Sequence, residues 1–448
     1  MSVKIAIIGA GSRSFGPISV NDVLMSDDLA QLGVELTLMD IVAKHLADTE
    51  KHAYKVAKKL GRDAKIVSTT SMTEALDGAD FVITAIDKDR FLYWTQDFNV
   101  PRKYGFAQVF GENGGPGGIF HALRNMGPMI DIARTMEKLC PSALLLNFSN
   151  PEHKLCEAIT RLTSIKNVGL CHGVFMGQNQ ISELLGRPVK ELEMVAGGIN
   201  HFAWFQTIRD KNTGEDLYPA LREAERKGDL LHNWHELALS RILFRRFGLW
   251  PSPAPNHFGE YIRWAAEFVA HEMNFFYDPA DGKPWETGNI PEFVYSLTEG
   301  PHNRPWTKPA PQPPAEDEDV KLHYSGERAI TIIEAFATGK EKYIEAVNLR
   351  NDGAIPNLPD DMVVEVPATA DSDGFHRRAL EPLPEAIAAM LRTQGSINKL
   401  LTEAFAEKSK DKLIQAFLLD PTVHTYHGAI DCIDEMLELQ KDALPELQ

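Results

Sequence analysis

Residues 4–12 read Lys4-Ile5-Ala6-Ile7-Ile8-Gly9-Ala10-Gly11-Ser12, an apolar run that breaks into a glycine turn. Such a run predicts a buried parallel strand, a tight turn and then a helix whose N-terminal amides point at a pyrophosphate. A third small residue usually follows and lets the helix pack closely on the strand, but its position holds Ser14. The alternative is an ordinary turn, so the stretch by itself only favours a dinucleotide-binding unit.

Two further apolar runs strengthen this interpretation. The run at residues 34–39 is followed directly by Asp40, and the run at residues 81–85 follows a turn at 77–80. Three predicted strands therefore alternate with helical segments. A carboxylate at Asp40 would accept the ribose hydroxyls of NAD and would repel the 2′-phosphate of NADP. The predicted NAD contacts are Gly9, Gly11, Ser12, Arg13, Asp40, Ala85 and Asn147.

Composition limits the class of protein. The chain has 448 residues with 44% hydrophobic content, enough for two joined domains. Its 63 acidic and 46 basic residues give a net charge of -17, which argues against nucleic acid or an anionic membrane as partner. Four cysteines do not make a disulfide framework, and no leader or apolar span of about 20 residues is seen. We therefore expect a cytoplasmic protein.

The alternation of strands and helices divides the chain. It predicts an α/β fold in which residues 1–205 form a Rossmann-type parallel sheet and residues 206–448 form a mixed, mainly helical domain for substrate and oligomerisation. The proline-rich, acidic segment 301–320 is expected to be an exposed loop. Longer helices are expected around residues 255–272, 327–340 and 379–418.

Residues 111–118 contain five glycines and lead into a helix. Such a loop would allow a ligand close to the backbone and would offer it helix N-terminal amides, and Glu112 within it is a candidate acid or base. The alternative is a flexible surface loop.

Cys171 and His201 each follow a predicted strand at the edge that faces the cofactor. A thiol and an imidazole with open coordination positions could hold a divalent ion, although each residue alone is more often an inert part of a core. His257 and Tyr261 lie four positions apart on the expected helix after Pro251–Pro255 and share a face with Glu260 nearby. They are candidate proton acceptors, and a core aromatic face is the alternative.

Five motifs taken together resemble glycoside hydrolase family 4 and its NAD-dependent relatives, and they extend over most of the chain. They are Gly9–Ser12, Asn147–Pro151, Cys171-His172-Gly173, Gly198–Phe202 and Asn351–Asp360. The resemblance implies a fold like that of lactate and malate dehydrogenases, with NAD and a divalent metal, manganese in the first place, as cofactors. It also implies a small-molecule glycoside as the substrate and a homo-oligomer, either a dimer or a tetramer.

The implied reaction is a redox route. NAD takes a hydride from C3 of the sugar, a base removes the acidified C2 proton, and the leaving group departs from C1. Water then adds, and the hydride returns to C3. The resemblance assigns metal binding to Cys171 and His201, the leaving-group region to Glu112, and the C2 base to His257 or Tyr261. It assigns a substrate contact to Asn150, and His172, Asn200 and Arg263 are further candidate substrate contacts.

Two departures bear on the substrate and the base. Many members carry an acid where this chain has Asn256, which leaves the base open between His257 and Tyr261. Gly173 is similar to the uronide-cleaving members, so an anionic sugar, a uronide or a sulfoquinovoside, is expected. Its anion would need a cation, for which the candidates are Arg90, Arg102, Arg263 and Arg350.

Three alternatives stay open at this point. One is a glycosidase for a neutral sugar, such as an α-galactoside or an α-glucoside. The second is an NAD-dependent dehydrogenase of a sugar or a 2-hydroxy acid, because that superfamily has the same N-terminal sheet. The third is a protein that binds NAD without catalysis, since a fold alone does not fix a function.

Overall fold

A computed structural model describes residues 2–12, 15–227, 237–269, 273–295, 320 and 322–448. Arg13, Ser14 and nearly all of the proline-rich segment lie outside these residues, so the predictions made for them are not addressed by the structure. Among the described residues, no helix is both long enough and apolar enough to cross a membrane.

The strands are β1 Val3–Ile8, β2 Val34–Met39, β3 Lys65–Thr69, β4 Phe81–Thr84, β5 Leu144–Asn147, β6 Lys166–Gly169, β7 Leu192–Ile199, β8 Phe202–Asp210, β9 Trp250–Ser252, β10 Met273–Phe276, β11 Glu292–Tyr295, β12 Lys342–Arg350, β13 Val363–Asp371 and β14 Gly374–Arg377. The helices are α1 Gly16–Met25, α2 Asp27–Leu32, α3 Ala43–Leu60, α4 Met72–Leu76, α5 Arg90–Lys103, α6 Gly115–Leu139, α7 Glu152–Leu162, α8 Gly173–Leu185, α9 Tyr218–Lys227, α10 Ala238–Phe247, α11 Pro255–Phe258, α12 Ala266–Val269, α13 Ala329–Thr338, α14 Glu385–Glu407, α15 Lys410–Leu419 and α16 Tyr426–Leu439. Short 3₁₀ turns lie at Val189–Glu191, Gly259–Tyr261, Pro279–Asp281 and Pro284–Thr287.

The N-terminal half forms the predicted parallel sheet. Its strands run in the order β3-β2-β1-β4-β5-β6, and every neighbouring pair is parallel. The strands are apolar because helices cover both faces: Ile7 and Leu146 are almost fully buried. The order reverses between β1 and β4, and ligands bind at such a switch point in open parallel sheets.

The glycine turn after β1 shows why small residues stand there. Gly9 has a φ of 85°, and a Cβ on it would lie 2.3 Å from the carbonyl oxygen of Ala85. At Gly16, the first residue of α1, a Cβ would lie 2.0 Å from the carbonyl oxygen of Ala10. The close approach of helix and strand that the usual third glycine permits is therefore supplied by Gly16, two positions after Ser14.

Apart from β10 and β11, which form a separate two-stranded sheet, the remaining strands extend the same sheet in antiparallel fashion. β12 and β13 come from the C-terminal half, yet they lie between β6 and β7, and β8 and β9 complete that edge. The predicted boundary at residue 205 falls inside β8. The two-domain division remains a prediction about chain segments, and one sheet of twelve described strands runs through both of them.

The expected helices differ in outcome. The prediction for 327–340 is confirmed by α13, and that for 379–418 by α14 and α15. The long helix expected around 255–272 is wrong. Among the described residues of this stretch, only the four-residue helices α11 and α12 form, and the 3₁₀ turn lies between them. The helix is interrupted because Ile262 has an extended backbone, with φ of -123° and ψ of 117°.

Candidate active site

The nucleotide edge of the sheet is organised around Asp40. Its Oδ2 accepts a hydrogen bond from the Gly11 amide at 2.9 Å, and its Oδ1 accepts one from the Val42 amide at 2.8 Å. A Cβ on Gly11 would lie 2.7 Å from the same Oδ2. The carboxylate thus holds the glycine turn and the end of β2 together, at the place where the sequence predicts the ribose.

The side chain of Asn147 is engaged by hydrogen bonds within the protein. Its amide oxygen accepts hydrogen bonds from the Thr84 hydroxyl at 3.0 Å and the Ser149 amide at 2.9 Å, and its amide nitrogen donates to the Ser149 carbonyl at 3.1 Å. The side chain is fully buried. Because its polar atoms are already engaged, we expect Asn147 to shape the loop after β5 and not to contact the nucleotide directly.

Glu112 lies in a buried charge cluster. Its carboxylate is paired with Arg90, whose guanidinium also contacts Asp87 at 3.1 Å. The Glu112 carbonyl is 2.8 Å from Nδ1 of His121, and Nε2 of His121 is 3.4 Å from Asp87. Burial alone would raise the pKa of Glu112, but Arg90 and His121 lower it below its usual value. Glu112 is therefore an ionised carboxylate at neutral pH.

The glycine loop does not offer its amides to a ligand, contrary to expectation. Glu260 accepts hydrogen bonds from the amides of Glu112 and Asn113, and Gln108 accepts one from Gly117 at 2.6 Å. A Cβ on Gly114 would lie 2.8 Å from the Tyr261 ring. The loop is buried throughout, so its glycines serve close packing and the surface-loop alternative is also wrong.

Cys171 lies in the turn after β6 and His201 in the turn after β7, and the side chain of Asn200, which precedes His201, connects the two turns. The Cys171 thiol accepts a hydrogen bond from the Gly173 amide at 3.3 Å and lies beside the side chain of Asn200. His201 is the second residue of the turn between β7 and β8 and has a φ of 62°, a place where glycine or asparagine is usual. Burial raises the pKa of the Cys171 thiol and lowers that of the His201 imidazole.

The chemistry of this pair fits a divalent metal. Nδ1 of His201 is buried without a hydrogen-bond partner, which leaves a nitrogen lone pair or N–H uncommitted. A thiolate and an imidazole suit borderline metal ions. In the described part of the chain, no group of three or more His, Cys, Asp and Glu side chains could hold a metal. An ion bound by Cys171 and His201 would therefore keep positions for substrate oxygens or water.

His257 and Tyr261 point to different neighbours. The His257 ring lies 4.5 Å from the ring of His201, and its Nδ1 is 2.7 Å from the amide oxygen of Asn256. Since that oxygen can only accept, Nδ1 carries the proton and Nε2 keeps its lone pair. Burial lowers the pKa of His257 to about 4, so the ring is neutral at pH 7.

Tyr261 stacks on Phe202 with ring centroids 5.4 Å apart, and its hydroxyl is buried without a hydrogen-bond partner. The Lys154 ammonium lies 5.7 Å from the same ring. Burial, and after it the negative charge of Glu260, raise the pKa of Tyr261 well above its usual value. Tyr261 is therefore a protonated phenol in this surrounding and a poorer proton acceptor than His257.

The predicted substrate residues are dispersed around this edge. Asn150 is partly exposed, and its carbonyl accepts a hydrogen bond from Asn125 at 2.8 Å. The His172 side chain is 60% exposed, 3.4 Å from Glu327, which raises its pKa. Asn200 is fully buried, and its amide lies against Cys171 and Glu365 without a well-aligned hydrogen bond to either. Arg263 is exposed and forms no ion pair with another described residue.

The other three candidate cations are engaged. Arg90 bridges Asp87 and Glu112, Arg350 pairs with Asp352 at 2.8 Å, and Arg102 donates to the Gln108 carbonyl at 3.0 Å. Of the four arginines, Arg263 is therefore the best candidate to bind an anionic group of the substrate.

Sequence reasoning missed a buried acidic pair behind the cysteine. Glu365 is in β13 beside Asn200, and its Oε1 accepts a hydrogen bond from Asn348 at 3.4 Å. Glu152 accepts a hydrogen bond from the Cys156 thiol at 3.0 Å. Burial raises the pKa of both acids, that of Glu365 to about 8. A glutamate within the apolar run Val363–Val366 was the signal that could have revealed this cluster.

Asp87 and His121 were missed as well. The spacing of Asp87 and Arg90, three residues apart after a buried strand, could have indicated the pair. Nothing in the sequence brings His121 to them, because it is on α6 and their contact is made across the fold.

Comparison with known proteins places the chain in a family. Residues 4–187 match the model of family 4 glycosyl hydrolase, and residues 196–423 match that of the family 4 glycosyl hydrolase C-terminal domain. The chain belongs to family 4 of the glycoside hydrolases. It is 31% identical to the alpha-glucosidase of Erwinia rhapontici over 100% of both chains. It is 30% identical to the alpha-galacturonidase of Thermoanaerobacter italicus, over 99% of this chain and 97% of that one.

Solved structures agree on the fold of this family 4 glycoside hydrolase. A 6-phospho-alpha-glucosidase from gut microorganisms, in complex with NAD and Mn²⁺, matches with a TM-score of 0.78 at 22% identity, over 100% of both chains. A malate dehydrogenase from Plasmodium falciparum, in complex with NADH, matches with a TM-score of 0.50 at 12% identity, over 90% of this chain and 99% of that one. The predicted family and the dehydrogenase-like sheet are confirmed.

Proposed function

We propose that this enzyme hydrolyses an α-glycoside of an anionic sugar, a uronide or a sulfoquinovoside, with NAD and a divalent metal, manganese in the first place. The reaction would proceed by transient oxidation at C3, elimination across C1 and C2, addition of water and re-reduction. When bound, NAD supplies a reversible hydride acceptor and the metal supplies a Lewis acid beside the sugar hydroxyls.

The observation that carries the proposal is the position of a neutral histidine beside the metal pair. His257 lies 4.5 Å from the His201 ring, and Nε2 of His257 carries a free lone pair. Removal of a C2 proton needs a neutral base next to the group that stabilises the resulting enediolate. We assign His257 as the base. Cys171 and His201 would hold the metal, and Asn200 would orient Cys171.

Glu112 would act at the leaving-group end. Its carboxylate is ionised and held by Arg90, so it would orient a water or a sugar hydroxyl and would not donate a proton to the departing oxygen. Asn150 and His172, partly and largely exposed beside the loops after β5 and β6, would bind sugar hydroxyls.

The anionic substrate class has separate support. A relative of 30% identity is named alpha-galacturonidase, and Arg263 is an exposed guanidinium next to the catalytic turn. A bidentate guanidinium suits a carboxylate or a sulfonate. Other relatives of similar identity are named for neutral sugars. Cleavage of neutral glycosides alone would therefore refute the proposal that the substrate is anionic.

The test is a panel of 4-nitrophenyl α-glycosides that carry a neutral, uronate, 6-phosphate or 6-sulfonate sugar. Each is assayed with and without NAD and Mn²⁺, in D₂O as well as in water. We expect release of nitrophenol only with both additions, deuterium at C2 of the product, and no net NADH. Stoichiometric NADH would instead identify a dehydrogenase, and cleavage without nucleotide would refute the redox route.

We also propose that the enzyme is a cytoplasmic homo-oligomer, a dimer or a tetramer. Sedimentation velocity and subcellular fractionation would test these two points.

A further inference from the structure

We propose that Glu260 is a positioning residue, which fastens the loop that carries Glu112 to the turn that carries His257 and Tyr261. This inference rests on the proposed function, because it assumes that Glu112 and His257 act on the same substrate. Glu260 itself would touch neither substrate nor cofactor.

The contacts of Glu260 join two distant parts of the chain. Its Oε1 accepts a hydrogen bond from the Glu112 amide at 2.6 Å, across 148 positions of sequence. The Asn113 amide lies 3.2 Å from Oε1 and 3.0 Å from Oε2, and the Gly114 amide contributes a further hydrogen bond. One buried carboxylate thus engages three successive amides of the glycine loop.

Packing reinforces the same junction. A Cβ on Gly114 would lie 2.8 Å from Cβ of Glu260 and from the Tyr261 ring, so the loop and the turn are in direct contact. The Phe110 ring, on the other side of the loop, stacks on His257 at 5.7 Å. While these contacts hold, the position of the loop relative to the turn is fixed.

The consequence for Glu112 is that it is held at both ends. Its amide is fixed by Glu260, and its carboxylate is fixed by Arg90. Without Glu260 the backbone of residue 112 would lose its anchor to the turn, although the ion pair could remain. A displacement of about 1 Å between groups that act on one substrate can reduce turnover about 100-fold.

An acidic side chain buried at this position costs free energy, because its ionised form loses its contact with water. Burial raises the pKa of Glu260 to about 8 in spite of its hydrogen bonds. The amides of residues 112–114, which lead into the 25-residue helix α6, favour the ionised form through hydrogen bonding. Lys154, which is also buried and has its pKa lowered to about 8 by burial, adds a positive charge nearby.

The chain contains a matched control at the same helix terminus. Asp420 is 2% exposed and accepts a hydrogen bond from the Gly115 amide, the next amide along the loop. Its other partner is Thr422, through the amide at 2.9 Å and the hydroxyl at 2.7 Å. Asp420 therefore caps α6 in a comparable way, but among the described residues none of its hydrogen bonds reaches the turn with His257.

The experiment compares Glu260→Gln with Asp420→Asn. Each substitution keeps the side-chain shape and replaces one oxygen of a buried acid beside the start of α6 with an NH2 group, which cannot accept a hydrogen bond, so the two should lower Tm by similar amounts. With NAD, Mn²⁺ and the best 4-nitrophenyl glycoside of the panel, we expect kcat of Glu260→Gln to fall about 10- to 100-fold with KM within about 2-fold. Asp420→Asn should keep kcat within about 2-fold.

A second readout does not depend on activity. Hydrogen exchange of the Glu112 and Asn113 amides should become at least about 10-fold faster in Glu260→Gln and stay unchanged in Asp420→Asn. Equal losses of kcat in both variants, or unchanged exchange at Glu112, would overturn the inference. A wild-type enzyme that cleaves no glycoside of the panel would refute the proposed function instead, and the exchange measurement would still decide the role of Glu260.

Discussion

Glu365→Gln should make the enzyme more stable at slightly alkaline pH, although it alters a buried side chain near the candidate metal pair. Glu365 is 3% exposed, accepts a hydrogen bond from Asn348 at 3.4 Å and lies beside Asn200. Burial raises its pKa from 4.5 to about 8. Between these values the folded state keeps a proton that the unfolded state releases, so stability falls as pH rises from about 4.5 to about 8.

The magnitude follows from the size of the shift. At about 1.36 kcal/mol per pKa unit, the loss between pH 5 and pH 7.5 has a ceiling of about 3 kcal/mol. A glutamine resembles the protonated acid and does not titrate, so this loss should disappear in Glu365→Gln. The nearby Glu152, whose pKa is also raised by burial, will contribute its own slope to both proteins.

The assay is thermal unfolding at pH 5.0, 6.0, 7.0 and 8.0, with a chelator present so that metal binding does not contribute. We expect similar Tm values at pH 5, and a Tm of Glu365→Gln that is higher than wild type by several degrees at pH 8. Glu225→Gln is the control. Glu225 is equally buried but pairs with Arg241 and Arg245, which lower its pKa although burial opposes them. Glu225→Gln should therefore lower Tm by the same amount at pH 6 and at pH 8. A constant difference between Glu365→Gln and wild type across this range would refute the reasoning.

Three further outcomes can be checked on the same protein. Gly16→Ala should lower the free energy of unfolding by about 2 kcal/mol or more in a denaturant titration, because its Cβ would lie 2.0 Å from a backbone oxygen. The control Gly127→Ala has open space around its Cβ in the middle of α6, so it should be neutral or stabilising in the same titration. His257→Gln should reduce kcat about 100-fold or more at unchanged Tm, while Tyr261→Phe should reduce it less than about 10-fold; the reverse order in steady-state kinetics would make the tyrosine the base. Arg263→Met should raise KM for a uronate or sulfonate glycoside about 10-fold and leave KM for a neutral one unchanged, and an equal effect on both would exclude a role in charge recognition.

The nucleotide half of the fold was readable from the sequence because its signals are local. An apolar run, a glycine turn and an acid after the next run specify β1, Gly9 and Asp40 without reference to the rest of the chain. Gly16 was overlooked because the usual spacing pointed to Ser14, yet the dipeptide Gly16-Pro17 at a helix start was visible. The insertion of β12 and β13 between β6 and β7 was not readable, since strand pairing across about 180 residues leaves no local mark.

The candidate site also contains residues that the sequence could predict and residues that it could not. Cys171 and His201 could be proposed because each follows an apolar strand. That the two turns come close could not be read from the strand order, because β12 and β13 lie between β6 and β7. The roles of Glu260 and Asn147 were not foreseen, because both depend on which backbone amides a side chain reaches after folding. A glycine-rich loop before a helix predicts available amides, and only the structure reveals that protein carboxylates already occupy them.

The charges around Glu112 also restrict how an anionic sugar could lie. Arg90 is shared by Asp87 and Glu112, so these three side chains together carry one net negative charge in a buried surrounding. A carboxylate or sulfonate placed there would be repelled, and the repulsion is strong where water is scarce. If the substrate is anionic, as proposed, its C6 anion would point away from Glu112 and toward the exposed Arg263, while the leaving group would face Glu112. Asp87→Asn would neutralise the cluster, and it should lower the KM for anionic glycosides only if the sugar binds the other way round.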